Sequence, residues 1–322
     1  MTAPIFLTPV LHEKIWGGTA LRDHFELNIP SDTTGEAWII SGHPNGVSPI
    51  DSGVYAGKTL AQLWHEHPEL FENHDVSRPY PLLVKFLDAH KDLSVQVHPG
   101  DEYAAEHNNG ELGKTESWYI LAANEGAEIY YGHQAQTKAE FDQMVDAGDW
   151  NHLLKKIPVT PGDFFYVPSG TLHALGAGVV ALETQQSSDV TYRVYDFDRP
   201  DPKTGELREL HLTDAKNVTQ VPFKPETPQQ TVLQVGALKE TTLVEAPYFN
   251  VYKDEVDGEA FLTKQAPYTQ YTVIEGAGQV VVNGVAYPLE LATSFIMPAL
   301  VEEWMFEGKM TLIASTPGLK SR

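Results

Sequence analysis

Short runs rich in Val, Ile, Tyr, Phe and Thr, broken by Gly, Pro, Asn or Asp every roughly 8 to 12 residues, occupy most of the chain. That rhythm predicts a sandwich or barrel of short strands. Helical spacing is confined to three places. Thr59 to Phe71 carries Leu60, Leu63 and Trp64 on one side until Pro68 stops it. Thr137 to Ile157 opens with Thr137 and Glu140 in capping-box positions, followed by the stripe Phe141, Met144 and Val145. A further turn from Asp149 offers Leu153, Leu154 and Ile157, and Leu210 to Val221 supplies the third helical pattern. The remainder reads as strand and turn.

Self-similarity then divides the chain. Ala127–Gly132 (AEIYYG) reads like Gln279–Gly284 (QVVVNG), and Gly162–Pro168 (GDFFYVP) reads like Ala292–Pro298 (ATSFIMP). Repeats of this kind specify architecture better than propensity does. They predict two related β domains. Between the two copies, Phe223–Gln230 (FKPETPQQ) is proline-rich and polar, so the boundary is expected there, with a first domain over residues 1–225 and a second over 231–322.

Composition and charge narrow the chemistry. With 322 residues, 42% of them hydrophobic, the chain can bury a large core, which excludes disorder. Lys plus Arg number 22 against 44 Asp plus Glu, a formal charge of −22, and no basic block offsets it. Nucleic acid and anionic membrane are therefore unexpected as partners, and a phosphorylated ligand would need a locally basic pocket. Zero cysteines remove disulfides, thiolate metal clusters and a Cys nucleophile, so a metal would be held by His, Asp, Glu or Gln. The N-terminus lacks a basic segment leading into a long apolar run, and a cytoplasmic protein, monomeric or homodimeric, is expected.

Gly162-x5-Pro168-x-Gly170-x2-His173 resembles the second motif of the cupin superfamily, in which a strand, a tight turn and a second strand point a His into a barrel. The last position of that motif, usually Asn, is Ala177 here. The fold class expected is thus mostly β, two cupin-type β-sandwich or jelly-roll domains, with a few short helices in the first half. In Ser94–His98 (SVQVH) the period of two puts Ser94, Gln96 and His98 on one face and both valines on the other. Glu116 begins a strand whose aromatic residues call for burial, where a carboxylate needs a partner or a metal. Alone, Glu116 reads as a solvated strand end and His173 as an ordinary core residue. Together, Gln96, His98, Glu116 and His173 predict a four-ligand metal site. The 130-residue offset puts Glu303 where His173 stands, and the glycine alignment puts Tyr268 where Glu116 stands, so the second domain is expected to be metal-free.

Lys14–Gly18 (KIWGG), Gly35–Trp38 (GEAW), Ser41–Pro44 (SGHP), Lys85–Leu87 (KFL), Ser94–Pro99 (SVQVHP), Lys114–Glu116 (KTE) and Tyr192–Arg199 (YRVYDFDR) resemble, in that order, the type I mannose-6-phosphate isomerases in their short bacterial form. The resemblance implies a zinc enzyme that interconverts mannose 6-phosphate and fructose 6-phosphate, metal ligation by Gln96, His98, Glu116 and His173, and an essential Arg193. The chain departs from the long forms in lacking their large helical insertion and in having Thr115 where they have proline.

Aldose to ketose isomerisation moves a proton between C1 and C2 through an enediol. It needs a base, charge stabilisation at both oxygens and a grip on the phosphate. Arg193, on a strand face shared with Thr191 and Tyr195, is the candidate stabiliser of the enediolate, and pairing with Asp196 or Asp198 is its bland alternative. Glu183 is the candidate proton carrier, since a buried carboxylate can be raised toward neutral pKa. Lys85 lies in the otherwise apolar run Pro81–Leu87 (PLLVKFL) and needs an anion, either a nearby carboxylate or, with Ser94, the substrate phosphate. Lys114 and Trp16 complete the expected substrate contacts, Trp16 by stacking on the sugar. Two His and one Glu also form the facial set of non-haem iron oxygenases, against which Gln96 argues. A non-catalytic sugar-binding protein with the same two barrels is the third reading.

Overall fold

The computed structural model describes residues 3–321. Its first half is a sandwich of two antiparallel sheets. One has six strands: Val10–Gly18, Thr34–Ser41, Leu82–Ala89, Val179–Gln186, Glu116–Ala123 and Phe164–Val167, in that spatial order. The other has five: Tyr192–Tyr195, Val95–Val97, His173–Leu175, Glu128–His133 and Leu154–Pro158. Leu82–Ala89 and Val179–Gln186 are buried along their whole length, so the polar residues inside them, Lys85 and Asp88 in the first and Glu183 to Gln186 in the second, must be partnered or functional.

Helices cover the flanks. Leu60–Glu66 starts at a complete capping box between Thr59 and Gln62 and is followed by the short turn Pro68–Leu70. Lys138–Ala147 uses Thr137 as its cap, but the Glu140 carboxylate accepts from the Gln136 N–H, one residue before the cap. The third helical pattern forms Leu212–Val218. The stretch after Asp149 departs from expectation: only Trp150–Leu153 is helical, and Leu154–Pro158 is an edge strand paired with Glu128–His133. Leu154 and Ile157 are three residues apart, a spacing that a helix face tolerates, and the free sheet edge decided the outcome. Two helices without a predicted pattern, Ala20–Phe25 and Asp101–His107, are six and seven residues long and bury only Leu21 and Phe25, and Ala104. Too few apolar positions repeat in them to leave a stripe.

The second half is an eight-stranded sheet to which the N-terminal strand Ile5–Phe6 also contributes, pairing with Ser294–Met297. Three of its strands are long: Phe249–Thr263, Thr269–Val282 and Glu303–Pro317. Gly258, Gly308 and Gly278 stand side by side across them. Gly258 and Gly308 have φ of 121° and 128°, and a Cβ at Gly308 would lie 2.6 Å from the Gly278 Cα. A glycine row of this kind lets a sheet turn a corner, folding the long strands over a core built on Val273, Phe295, Phe306 and Leu312. The two halves join through an aromatic cluster of Trp64, Phe71, Tyr80 and Tyr268, where Gln270 donates to the Tyr80 hydroxyl at 2.6 Å.

Candidate active site

The site lies between the two sheets of the first half, and register builds it. In the five-stranded sheet Arg193, Gln96 and His173 stand directly opposite one another on three neighbouring strands, so their side chains share a face. In the six-stranded sheet Trp38 pairs with Lys85, Lys85 with Glu183, and Glu183 with Trp118, with Glu116 two residues before Trp118 on the same face. The turn predicted from Pro168 and Gly170 forms. Gly170 adopts φ of 86°, and its N–H donates to the His98 carbonyl at 2.9 Å, tying the turn that delivers His173 to the residue that follows the strand Val95–Val97.

His98, Glu116 and His173 are buried at 1%, 0% and 1% exposure. Their facing atoms all lie within 4.8 Å of one another. His98 Nδ1 is 2.8 Å from the Val190 carbonyl, and His173 Nδ1 is 2.8 Å from that of Thr171. A carbonyl only accepts, so Nδ1 carries the proton on each ring, and Nε2 presents a lone pair when the ring is neutral. Both rings are neutral: burial, the largest influence, pushes His98 down to about 3 and lowers His173 as well. Each Nε2 sits 3.2 Å from a Glu116 oxygen, and none of the four atoms makes a hydrogen bond. Burial would raise Glu116, but Lys114, 3.3 Å away, followed by the two imidazoles, holds it well below the usual carboxylate range. A buried unsatisfied polar atom costs about 1–3 kcal/mol. Of the four converging lone-pair atoms only Glu116 Oε2 has a cation beside it, and the other three would thus consume a large share of a domain's ~5–15 kcal/mol of stability. A divalent cation at the centre removes that conflict, and imidazoles anchored to backbone carbonyls through the other nitrogen are the usual form of metal-ligating His. Gln96, paired with His173 across the sheet, is partly exposed and, of the predicted ligands, the one that lines the adjoining cavity.

Beside the metal set, with Gln96 and Lys114 between, opens a cavity of about 320 Å³. It brings together every predicted substrate and catalytic residue: Trp16, Lys85, Ser94, Lys114, Glu183 and Arg193. Lys85 has the nearby carboxylates that its sequence position allowed for. Its Nζ is 3.3 Å from Glu183 Oε1, 4.0 Å from Glu36 Oε2 and 4.8 Å above the Trp38 ring. Glu183 accepts from the Trp118 indole N–H at 3.0 Å, and burial together with the charge of Glu116 raises its pKa. Arg193 does not pair with Asp196 or Asp198. Its Nη1 donates to the Glu209 carbonyl at 2.8 Å, and Asp196 instead holds Arg199 and Arg208. Burial and the neighbouring Arg208 lower the Arg193 pKa, and a guanidinium in a protein stays charged.

Five polar residues of the cavity were not predicted as site members: Lys14, Glu36, Asp189, Thr191 and Arg208. Lys14 is 3.0 Å from Glu36 Oε1, and the Trp38 indole N–H donates to Glu36 at 2.6 Å. Burial opposes ionisation of Glu36, but Lys85 and Lys14 outweigh it and bring the carboxyl down to about 2. A lone Glu in the apolar run Glu36–Ile40 carries the same signal as Lys85 and was the clue available. Nothing local marks Arg208, which reaches the cavity because Asp196 anchors it. Lys14, Lys85, Lys114, Arg193 and Arg208 face Glu36, Glu183 and Asp189, a formal excess of two positive charges in a chain of net −22.

Comparison with known proteins agrees with this architecture. Residues 5–131 match the family model for phosphomannose isomerase type I, catalytic domain, and residues 239–317 that for mannose-6-phosphate isomerase, cupin domain. The mannose-6-phosphate isomerase of Streptococcus mutans is 51% identical over 98% of this chain and 98% of its own length. That of Bacillus subtilis, ManA, is 49% identical over 98% and 99%. The crystal structure of a mannose 6-phosphate isomerase from Bacillus subtilis superposes with a TM-score of 0.95 at 49% identity, covering 98% of this chain and 99% of that one.

Proposed function

The chain belongs to the type I phosphomannose isomerase family, and on that premise we propose how its own residues carry out the reaction. It is an aldose-ketose isomerase interconverting mannose 6-phosphate and fructose 6-phosphate. The observation that carries the mechanism is the set of four buried atoms of His98, Glu116 and His173 that make no hydrogen bond, beside a locally cationic cavity lined by their neighbours Gln96 and Lys114.

We infer that His98, Glu116, His173 and Gln96 hold a zinc ion. With N and O donors and a single carboxylate, the bound ion would keep net positive charge, polarise the sugar oxygens and add no redox chemistry. Lys85 and Ser94 bind the phosphate, assisted at the open side by Lys14 and Arg208. Trp16 packs on the sugar, and Lys114 keeps Glu116 ionised beside the substrate. Glu183, buried and raised in pKa, takes the proton from one carbon and returns it to the other. Lys85 at 3.3 Å stabilises its ionised form, the form that accepts the proton. Arg193, always charged and adjacent to Gln96 across the sheet, stabilises the negative charge that develops on the enediolate oxygens. We also infer a cytoplasmic enzyme, monomeric or homodimeric, with no nucleic-acid or membrane partner. The −22 charge supports this, and among the described residues no helix is long and apolar enough to cross a membrane. The domain limits of 1–225 and 231–322 stand as our division, with the first carrying the metal.

The test is to incubate the purified chain with fructose 6-phosphate and identify the product. Mannose 6-phosphate is expected, with activity lost on chelation and restored by zinc. Full activity after exhaustive chelation would contradict the metal assignment.

A further inference from the structure

The second domain has a cavity of its own, about 690 Å³, within the range of small-molecule sites. It shares no lining residue with the first. Strand register again builds it. Glu240 stands opposite Asp254 on neighbouring strands, and Thr242, Tyr252, Ala314 and Tyr271 form the next row across four strands. Asp254 is 1% exposed and its Oδ1 makes no hydrogen bond. Burial, then the facing Glu240, pushes its carboxyl up to about 8. The Trp304 indole N–H is likewise buried, with the Tyr271 hydroxyl beside it but no hydrogen bond of good geometry. Leu233, Val235 and Phe261 lie exposed at the rim.

Two carboxyls directly opposite each other weaken a sheet, and a buried unpartnered carboxyl destabilises a fold that an apolar residue would pack better. Nothing in the domain's own packing requires Asp254, so its position points to a ligand. The lining identifies the class. It contains no Lys, Arg or His, and Glu240 and Glu245 repel an anion, so a sugar phosphate is excluded. A neutral carboxyl donates and accepts, as do the hydroxyls of Thr242 and Thr269, while the Trp304 N–H needs an acceptor that an ammonium group lacks. Tyr252, Tyr271 and Trp304 add flat apolar walls. We propose that this cavity binds an unphosphorylated sugar or a similar neutral polyol, hydrogen-bonded to Asp254 and packed against Trp304. The proposal is independent of the isomerase mechanism, which uses none of these residues.

The test is calorimetric titration of the full-length, metal-loaded chain with D-mannose and with D-glucosamine. Isomerase turnover is followed in parallel, so a failure of the first site registers there and not in the titration. Saturable mannose binding is expected. Asp254→Leu should weaken it at least ~10-fold, the loss of one good hydrogen-bonding group, and Asp254→Asn by no more than roughly threefold, with isomerase turnover unchanged in both. Trp304→Phe keeps the ring, removes the N–H and should weaken binding severalfold, which preserves the test if Asp254→Leu fails to fold. Absence of saturable mannose binding at tens of millimolar overturns the proposal. So does mannose binding indifferent to the Asp254→Leu or Trp304→Phe changes, or tighter binding of glucosamine than of mannose.

Discussion

The two halves repeat one scheme and differ in what fills equivalent places. Where His173 opens a strand and faces Glu116 beside the first cavity, Glu303 opens the matching strand and is exposed. Where Glu116, paired with Val167, meets two imidazoles, Thr269, paired with Met297 at the same 130-residue offset, lines the second cavity, and Tyr268, expected in that place, lies one residue earlier in the aromatic cluster that joins the halves. The first cavity is small and lined by five cationic side chains, and the second is twice as large and has none. Inward-facing strand positions thus carry a His/Glu/His group and a cationic cavity in one half and a cavity without cations in the other. The fold supplies inward-facing positions, and the residues at a few of them set the chemistry.

The comparison breaks most sharply at the ligands. His98→Ala or His173→Ala should eliminate bound metal and lower activity by well over ~10²-fold, beyond the 10–100-fold typical of losing a mere supporting partner of a ligand. Gln96→Glu should retain metal. Elemental analysis with an isomerase assay checks both, and full metal occupancy in His173→Ala would refute the assigned ligand set.

Next in size is Arg193→Ala, expected to lower kcat by roughly 10²-fold or more with a smaller change in KM, as loss of an electrostatic stabiliser does. A raised KM with intact kcat would make Arg193 a binding residue only. Lys85→Ala should act mostly on KM, because phosphate is held equally in ground and transition states. It should also move the acid limb of the kcat/KM profile upward, since Lys85 lowers the Glu183 pKa and its removal lets that carboxyl rise further. An unmoved limb would disconnect Glu183 from proton transfer.

The smallest effect sharpens the second half. Asp254 holds its proton up to about pH 8 when folded, above its ordinary value when unfolded. The native state therefore binds more protons over that interval, and stability contributed by the neutral carboxyl falls as pH rises through about 8. Asp254→Asn stays neutral, so it should raise Tm by a few degrees above pH 8 and change little near pH 4. Thermal unfolding at the two pH values reads this out, and equal shifts at both would contradict a buried neutral carboxyl.

Much of this arrangement is legible in the sequence because inward-facing residues of strands announce themselves. Lys85 in an apolar run, the alternation of Ser94, Gln96 and His98, and the Pro168-Gly170 turn each predict a side chain's direction, and register then brings them together. Arg208 is not legible, since its place depends on a loop held by Asp196. Glu36 was, by the reasoning used for Lys85, and the partnership of Lys85 with Glu183 and Glu36 needed the pairing of three strands. Leu154–Pro158 escaped because its apolar spacing suits helix and strand alike. The choice among isomerase, oxygenase and sugar-binding readings came from relatives, since two His and one Glu permit all three.

Anomalous diffraction at the zinc edge from crystals of the metal-loaded chain tests the central claim most directly. The account predicts one peak per chain, bonded to the Nε2 atoms of His98 and His173, to Glu116 and to Gln96, and none in the second half. A peak within the cavity of Asp254 and Glu240, or an occupied site that leaves His98 or His173 unbound, would contradict it.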